Sequence, residues 1–137
     1  MPAEIIKVLP DNEKAKSILR MVETTSEMVK QIDADKFPSN VIKEYYDIIR
    51  ELISIILLLD GFKATGEGAH KMQIDYLEEN YKEFDKSEIE LIDDLRIKRN
   101  KISYDGFFVT TSYAMKRLDG INKTIDKLKT IVANKLH

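Results

Sequence analysis

The feature that most restricts the fold is an uncharged, mostly aliphatic run near the middle of the chain, LISIILLL at residues 52–59. It continues a helical pattern that starts near Val41, and in its second half apolar side chains lie almost all round the helix. Such a helix is buried on every side. The run is far shorter than the roughly 20 residues that cross a bilayer. We therefore expect a helix over residues 41–60, ended by Gly61, at the centre of the fold or in an interface.

Apolar residues recur at helical spacing on both sides of this segment. Asp11 predicts the cap of a first helix, and Asp85 followed by Glu88 predicts a capping box at the start of a fourth. A short third helix, AHKMQIDYLEENY, follows the glycine-rich stretch KATGEGAH of residues 63–70. The apolar faces are Ile18, Met21 or Val22, Met28 or Val29, and Ile32 in the first helix, Ile89, Ile92, Leu95 and Ile102 in the fourth, and Leu118, Ile121, Ile125, Leu128, Val132 and Leu136 in the last.

Two breaks separate the long helices. In DKFPSN (residues 35–40) Pro38 disfavours helical geometry at the preceding residue, so that Ser39 or Asn40 is expected to cap the second helix. In YDGFFVTTS (residues 104–112) Gly106 suits the end of the fourth helix. Thr110 or Thr111 can cap the last helix. No stretch alternates as a half-buried strand. The pattern predicts an all-α fold, an antiparallel up-down four-helix bundle with an additional short helix, in one domain over residues 1–137 with its core at about 12–135.

Composition excludes several classes of function. A formal net charge of −2 gives no overall field for nucleic acid, so an RNA contact requires a local basic patch. The chain has no cysteine, which rules out disulfides and thiol chemistry. His70 and His137 are its two histidines, too few for a multi-histidine metal site within one chain. The N-terminus lacks the pattern of a signal peptide, and we expect a cytoplasmic protein with no membrane partner.

Metal and phosphate-loop motifs are also missing. The carboxylate pairs Glu78–Glu79 and Asp93–Asp94 do not form the Glu-x-x-His units of a di-metal bundle site, and they are typical of solvated helix faces. The sequence GEG at residues 66–68 lacks the Lys-Ser/Thr of a phosphate loop and is typical of a turn. We expect neither a metal nor a cofactor.

The stretch RIKRNKISYDG at residues 96–106 carries the strongest functional signal. Arg99 lies at the edge of the apolar face of its helix, where a guanidinium is costly unless it meets a carboxylate, a partner chain or a phosphate. Two interpretations follow. Arg99 forms an ion pair within the chain, for example with Asp47 or Glu51, or it faces a phosphate with Asn100 as a second donor. His70 follows two glycines near a helix start, and it either packs and caps there or acts as a general acid or base.

At these residues the sequence resembles the HEPN superfamily (higher eukaryotes and prokaryotes nucleotide-binding domain). The stretch YYDIIRELISIILLLDGFKATGEGAHKMQIDYL is similar to the family's central helix, the turn after it and the next short helix. RIKRNKISYDG is similar to the end of the motif helix, where arginine and a polar residue precede a histidine. The resemblance spans residues 12–135 and implies a HEPN-like helical domain.

The resemblance implies a set of roles for single residues. Arg99 takes the arginine position, Asn100 the polar position, and Tyr104 stands where histidine is expected. Arg96, Arg99 and Lys101 are then the nucleotide- or RNA-binding residues, and Arg99, Asn100 and Tyr104, assisted by His70, are the catalytic ones if activity persists. A tyrosine with a pKa of about 10 is a poor general base near pH 7.

The resemblance therefore predicts a catalytically degenerate, dimeric nucleotide- or RNA-binding protein. The surplus of apolar surface on the second helix independently suggests a homodimer. The alternative is a metal-independent ribonuclease toxin of a toxin–antitoxin system, with a minimal nucleotidyltransferase as its antitoxin. A second alternative is a structural helical interaction module, in which Arg99 forms an ordinary ion pair.

Overall fold

The computed structural model describes residues 1–136, which form five helices joined by short loops and two short strands. The order is β1 (Glu4–Lys7), α1 (Asn12–Lys30), α2 (Pro38–Asp60), β2 (Phe62–Thr65), α3 (Ala69–Asn80), α4 (Lys86–Asp105) and α5 (Thr111–Lys135). The predominantly helical class is confirmed. None of the helices in this part of the chain is both long and apolar enough to cross a membrane.

Helix α2 is the centre of the fold, as its apolar surface predicts. It packs against α1, α3, α4, α5 and β2, and Leu52, Ile55 and Ile56 have no solvent exposure. Burial on all sides explains why this helix has almost no polar face. Since the chain itself covers these side chains, they do not supply the apolar surface that suggested a homodimer.

The other helices are arranged around α2 rather than in an even ring. Within residues 1–136, α1 packs closely against α2 and against no other helix, whereas α4 contacts α2, α3 and α5. A bundle of four equivalent helices would bring α1 against a second neighbour. The finer prediction of an antiparallel four-helix bundle is therefore not confirmed.

Most helix ends lie where local chemistry places them. The Asp11 side chain accepts a hydrogen bond from the Lys14 amide at 3.0 Å, and Asp85 and Glu88 form the predicted capping box. Thr110 caps α5. Two helices end at a left-handed glycine, α2 at Gly61 with φ 91° and α4 at Gly106 with φ 64°. These positions favour glycine because it lacks a Cβ atom.

The start of α2 differs from the prediction. The helix begins at Pro38, with Phe37 before it, so neither Ser39 nor Asn40 is its cap. Proline suits the first position of a helix, because an N–H group at this position has no hydrogen-bond acceptor within the helix. Ser39 instead lies inside the first turn, where its Oγ accepts a hydrogen bond from the Val109 amide at 2.9 Å. This bond ties the loop before α5 to the start of α2.

The expectation that the chain contains no strand is wrong. β1 and β2 pair antiparallel, with Glu4 opposite Thr65. Each strand has four residues, too few for an alternating pattern to stand out. The residues after β2 form the predicted turn, where Gly66 has φ 89° and a Cβ would lie 2.4 Å from the Pro2 carbonyl oxygen. Only glycine permits this close approach of the N-terminus.

A carboxylate at the end of α2 joins three helices. Asp60 Oδ2 accepts hydrogen bonds from the hydroxyls of Tyr76 at 2.7 Å and Tyr81 at 2.5 Å. Asp60 Oδ1 accepts one from Lys135 Nζ at 2.5 Å. Burial alone would raise the pKa of Asp60, but these hydrogen bonds outweigh it and lower the pKa below 3.8. The same bonds and burial raise the pKa of both tyrosines above 10.0.

We expect Asp60→Asn to lower the free energy of unfolding at pH 6 by about 2 kcal/mol, since it weakens hydrogen bonds to a charged group. The pKa of Asp60 is lowered on folding, so its contribution is present above pH 3.8 and is lost as the pH falls through the folded-state pKa. The difference from wild type should thus shrink toward pH 3. Urea titrations of both proteins at pH 6 and pH 3 measure this difference in the free energy of unfolding. Asp119→Asn, at an exposed ion-pair position, is the control, and its free energy of unfolding should change little.

Candidate functional site: an arginine and histidine cluster

Arg99 is tied to the central helix. Its Nε lies 3.3 Å from Oδ1 of Asp47 in α2, and the Arg99 side chain is 18% exposed. Of the acidic partners considered for Arg99, Asp47 or Glu51, the structure shows Asp47. Both atoms are buried and neither forms a hydrogen bond within residues 1–136, so the contact is a charge interaction without good hydrogen-bond geometry. The contact with Asp47 arises because Arg99 lies on the edge of the α4 face that packs on α2.

The neighbouring basic residues of α4 also have acidic partners. Arg96 Nε donates to Asp93 Oδ1 at 2.9 Å, and Lys98 Nζ donates to Asp94 Oδ1 at 3.1 Å. Asp94 additionally receives hydrogen bonds from residues of α5, Tyr113 and Arg117. Residues 96–99 are therefore not an open basic surface, because each cation faces a carboxylate.

A third arginine, Arg50 of α2, belongs to the same cluster and was not predicted. Its Nη1 lies 2.9 Å from Glu51 Oε1, and its Nε lies 3.8 Å from Asp47 Oδ1. Asp47 is thus shared by arginines of two helices. One feature of the sequence could have indicated this residue: Arg50 is the only basic residue between Lys43 and Lys63.

His70 lies at the start of α3, close enough to this cluster for the charges of Arg50, Arg99, Arg96 and Asp47 to shift its pKa. Burial lowers its pKa below 6.5, the positive charges of Arg50, Arg99 and Arg96 lower it further, and the negative charge of Asp47 opposes the shift. Burial and these charges favour the neutral imidazole at pH 7, and three of the four charged side chains that shift its pKa are positive. His137 lies outside the described residues.

Tyr46 borders the same group of charges. It is 1% exposed, and burial raises its pKa to about 12 although the three arginines act to lower it. We call Asp47, Arg50, His70, Arg96 and Arg99 the arginine cluster. It is formed by α2, α3 and α4, with Tyr46 behind it.

The remaining predicted site residues lie farther along α4. Asn100 is half-buried and Lys101 is exposed, with Lys101 Nζ lying 5.7 Å from the centroid of the Phe107 ring. Tyr104 is 77% exposed on the last turn of the helix. It shares no hydrogen bond with Arg99 or His70, although the prediction assigned it the position of a catalytic histidine.

The arrangement leaves several strong donors unused. Arg96 and Arg99 contact their carboxylates through Nε, and no oxygen in residues 1–136 accepts a hydrogen bond from their terminal amino groups. A guanidinium has further N–H donors in a planar fork that matches phosphate or carboxylate oxygens. The cluster can therefore receive an anion without breaking the existing ion pairs.

Groups that could hold a metal ion are absent from the described residues. No protein-family model, curated protein or solved structure matches the chain.

Proposed function

We propose that the arginine cluster binds the phosphate groups of a nucleotide or of RNA, and that the chain is a nucleotide- or RNA-associated binding protein without turnover. The observation that carries the proposal is that the terminal guanidinium N–H groups of Arg96 and Arg99 have no acceptor in the described residues, although both arginines are close enough to His70 to lower its pKa. Charge-assisted bidentate bonds make arginine well suited to recognising phosphate. The HEPN resemblance supports the same ligand class.

The Arg99→Gln variant tests this function. We expect it to weaken binding of a fluorescently labelled oligouridylate about 10-fold, as for the loss of one charge-assisted phosphate contact. Fluorescence anisotropy at fixed salt measures the affinity. Arg20→Gln, which removes the same charge from an exposed position of α1, is the matched control and should change it less than about 2-fold. Equal effects of the two variants would exclude a specific phosphate site at Arg99.

A metal-independent ribonuclease is a second candidate, favoured by one observation. His70 is held neutral beside three arginines, and a neutral imidazole can accept the proton of a ribose hydroxyl while the arginines stabilise the phosphate. His70 is better suited to this role than Tyr104, which is exposed. Cleavage of RNA in the presence of EDTA, lost in His70→Gln while binding persists, would establish this candidate. Intact RNA under all conditions would eliminate it.

The proposal includes a homodimer and a nucleotidyltransferase partner only because the HEPN resemblance implies them. Light scattering at micromolar concentration tests the first of these. A dimer supports a shared cleft between two arginine clusters, and a monomer requires that one cluster bind phosphate by itself.

A further inference from the structure

A cavity of about 320 Å³ lies beside α2, next to β2 and the start of α1. Its walls come from the β1–α1 connection, α1, α2, β2 and α3, segments that are distant in sequence. The apolar wall residues are Val8, Leu9, Ile18, Leu57, Leu58, Phe62 and Ala64. Both its size and its mainly apolar lining are those of a small-molecule site. It shares no lining residue with the arginine cluster.

Two cations stand at this cavity without acidic partners. Lys14 and Lys63 line it, and neither forms an ion pair within residues 1–136, in contrast to the basic residues of the arginine cluster. One carboxylate, Asp11, also lines the cavity, but its Oδ1 is engaged as the cap of α1. The cavity therefore combines apolar walls with a net positive charge.

A buried amide supplies a third polar group. Gln73 of α3 lines the cavity and is 8% exposed. Its Oε1 is buried and receives no hydrogen bond from the described residues. A buried acceptor without a donor is unfavourable, so a bound molecule that presents an N–H or O–H group to this amide would satisfy it.

We propose that this cavity binds a small carboxylic acid with a flat apolar body and one N–H or O–H donor on that body. The carboxylate lies at Lys14 and Lys63, the apolar body contacts Ile18, Leu57 and Phe62, and the donor bonds to the Gln73 amide. Each part of the ligand matches a group of the cavity that has no partner in the protein. The inference goes beyond phosphate binding at the arginine cluster and does not depend on it.

Indole-3-acetate is a suitable probe because it contains all three parts. Two relatives serve as controls: 1-naphthaleneacetate lacks the ring N–H, and indole-3-ethanol lacks the carboxylate. Titrations of the full chain, followed by NMR shifts of the Leu57 and Ile18 methyl groups, measure binding. We expect indole-3-acetate to bind more tightly than about 1 mM, and each control at least about fivefold more weakly. Absence of shifts with indole-3-acetate at millimolar concentration overturns the proposal, as does equal binding of indole-3-ethanol.

Substitutions locate the contacts. Lys14→Gln and Lys63→Gln should each weaken indole-3-acetate binding about fivefold, as for the loss of one exposed cation at a carboxylate. Gln73→Leu should remove the preference for indole over naphthalene. Lys116→Gln, on the exposed face of α5, is the matched control and should bind like wild type. If Lys116→Gln weakens binding as much as Lys63→Gln, the carboxylate is not bound at this cavity. Arg99→Gln should leave indole-3-acetate binding unchanged, which separates this site from the phosphate site.

Discussion

Ile56→Ala is expected to lower the free energy of unfolding by about 3 kcal/mol, within the range of about 2–5 for a large-to-small core substitution. Ile56 has no solvent exposure and lies on the helix against which all the others pack. The substitution removes buried apolar surface and leaves a cavity that the surrounding helices can fill only in part. Domains of this kind are stable by about 5–15 kcal/mol in total, so the loss should lower Tm by about 10 °C.

Ile97→Ala is the matched control, because Ile97 is 39% exposed on α4. Its expected cost is below about 1 kcal/mol, since an exposed side chain loses little burial. Urea unfolding monitored by circular dichroism measures both variants, with an unchanged m-value showing that the transition stays the same. Similar costs at the two positions would contradict the central placement of α2.

Replacing all three arginines of the cluster, in Arg50→Gln/Arg96→Gln/Arg99→Gln, should weaken oligouridylate binding by more than about 100-fold. The reason is that each guanidinium lost removes a charge-assisted donor, with a contribution of about 1.5–3 kcal/mol. The triple variant also leaves Asp47 and Glu51 without their partners and Asp93 with Lys71 alone, at 3.9 Å. Its melting temperature must therefore be measured with its affinity, so that unfolding is not mistaken for lost binding.

The control is a second triple variant, Arg20→Gln/Lys116→Gln/Lys123→Gln. It removes three positive charges from exposed positions outside the arginine cluster. It should weaken binding only a few-fold, through long-range electrostatics that salt screens. Asp47→Asn gives a change of opposite sign, since loss of the carboxylate shared by Arg50 and Arg99 strengthens the positive field and should raise the affinity. Equal losses in both triple variants would show that binding is non-specific.

The helices were predictable because their determinants are local. Asp11, the Asp85–Glu88 capping box, Gly61 and Gly106 act within a few residues along the chain, and the sequence pattern located all of them. The strands depend on a backbone pairing between residues about sixty positions apart, such as Glu4 and Thr65. No periodicity within four residues reveals such a pairing. The predicted start of α2 was wrong, because Pro38 is the first residue of the helix and does not precede it.

The candidate site was predictable only in part. The position of Arg99 on the edge of an apolar face indicated a partner on α2, and Asp47 is that partner. The convergence of Arg50 and His70 on the same point depends on how α3 lies against α2 and α4, which helical periodicity does not encode. Conversely, the family pattern directed attention to Tyr104, although this side chain is exposed and shares no hydrogen bond with the cluster.

The pKa of His70, followed by NMR with and without saturating oligouridylate, tests phosphate binding at the cluster most directly. Without ligand the pKa should lie below 6.5, because burial and three arginines disfavour the imidazolium. A phosphate bound to the guanidinium forks of Arg96 and Arg99 offsets their charge, so the pKa should rise on binding. His70→Gln identifies the resonance, since His137 is the only other histidine. An unchanged His70 pKa at saturation would mean that the RNA binds elsewhere and that the cluster is a structural ion-pair network.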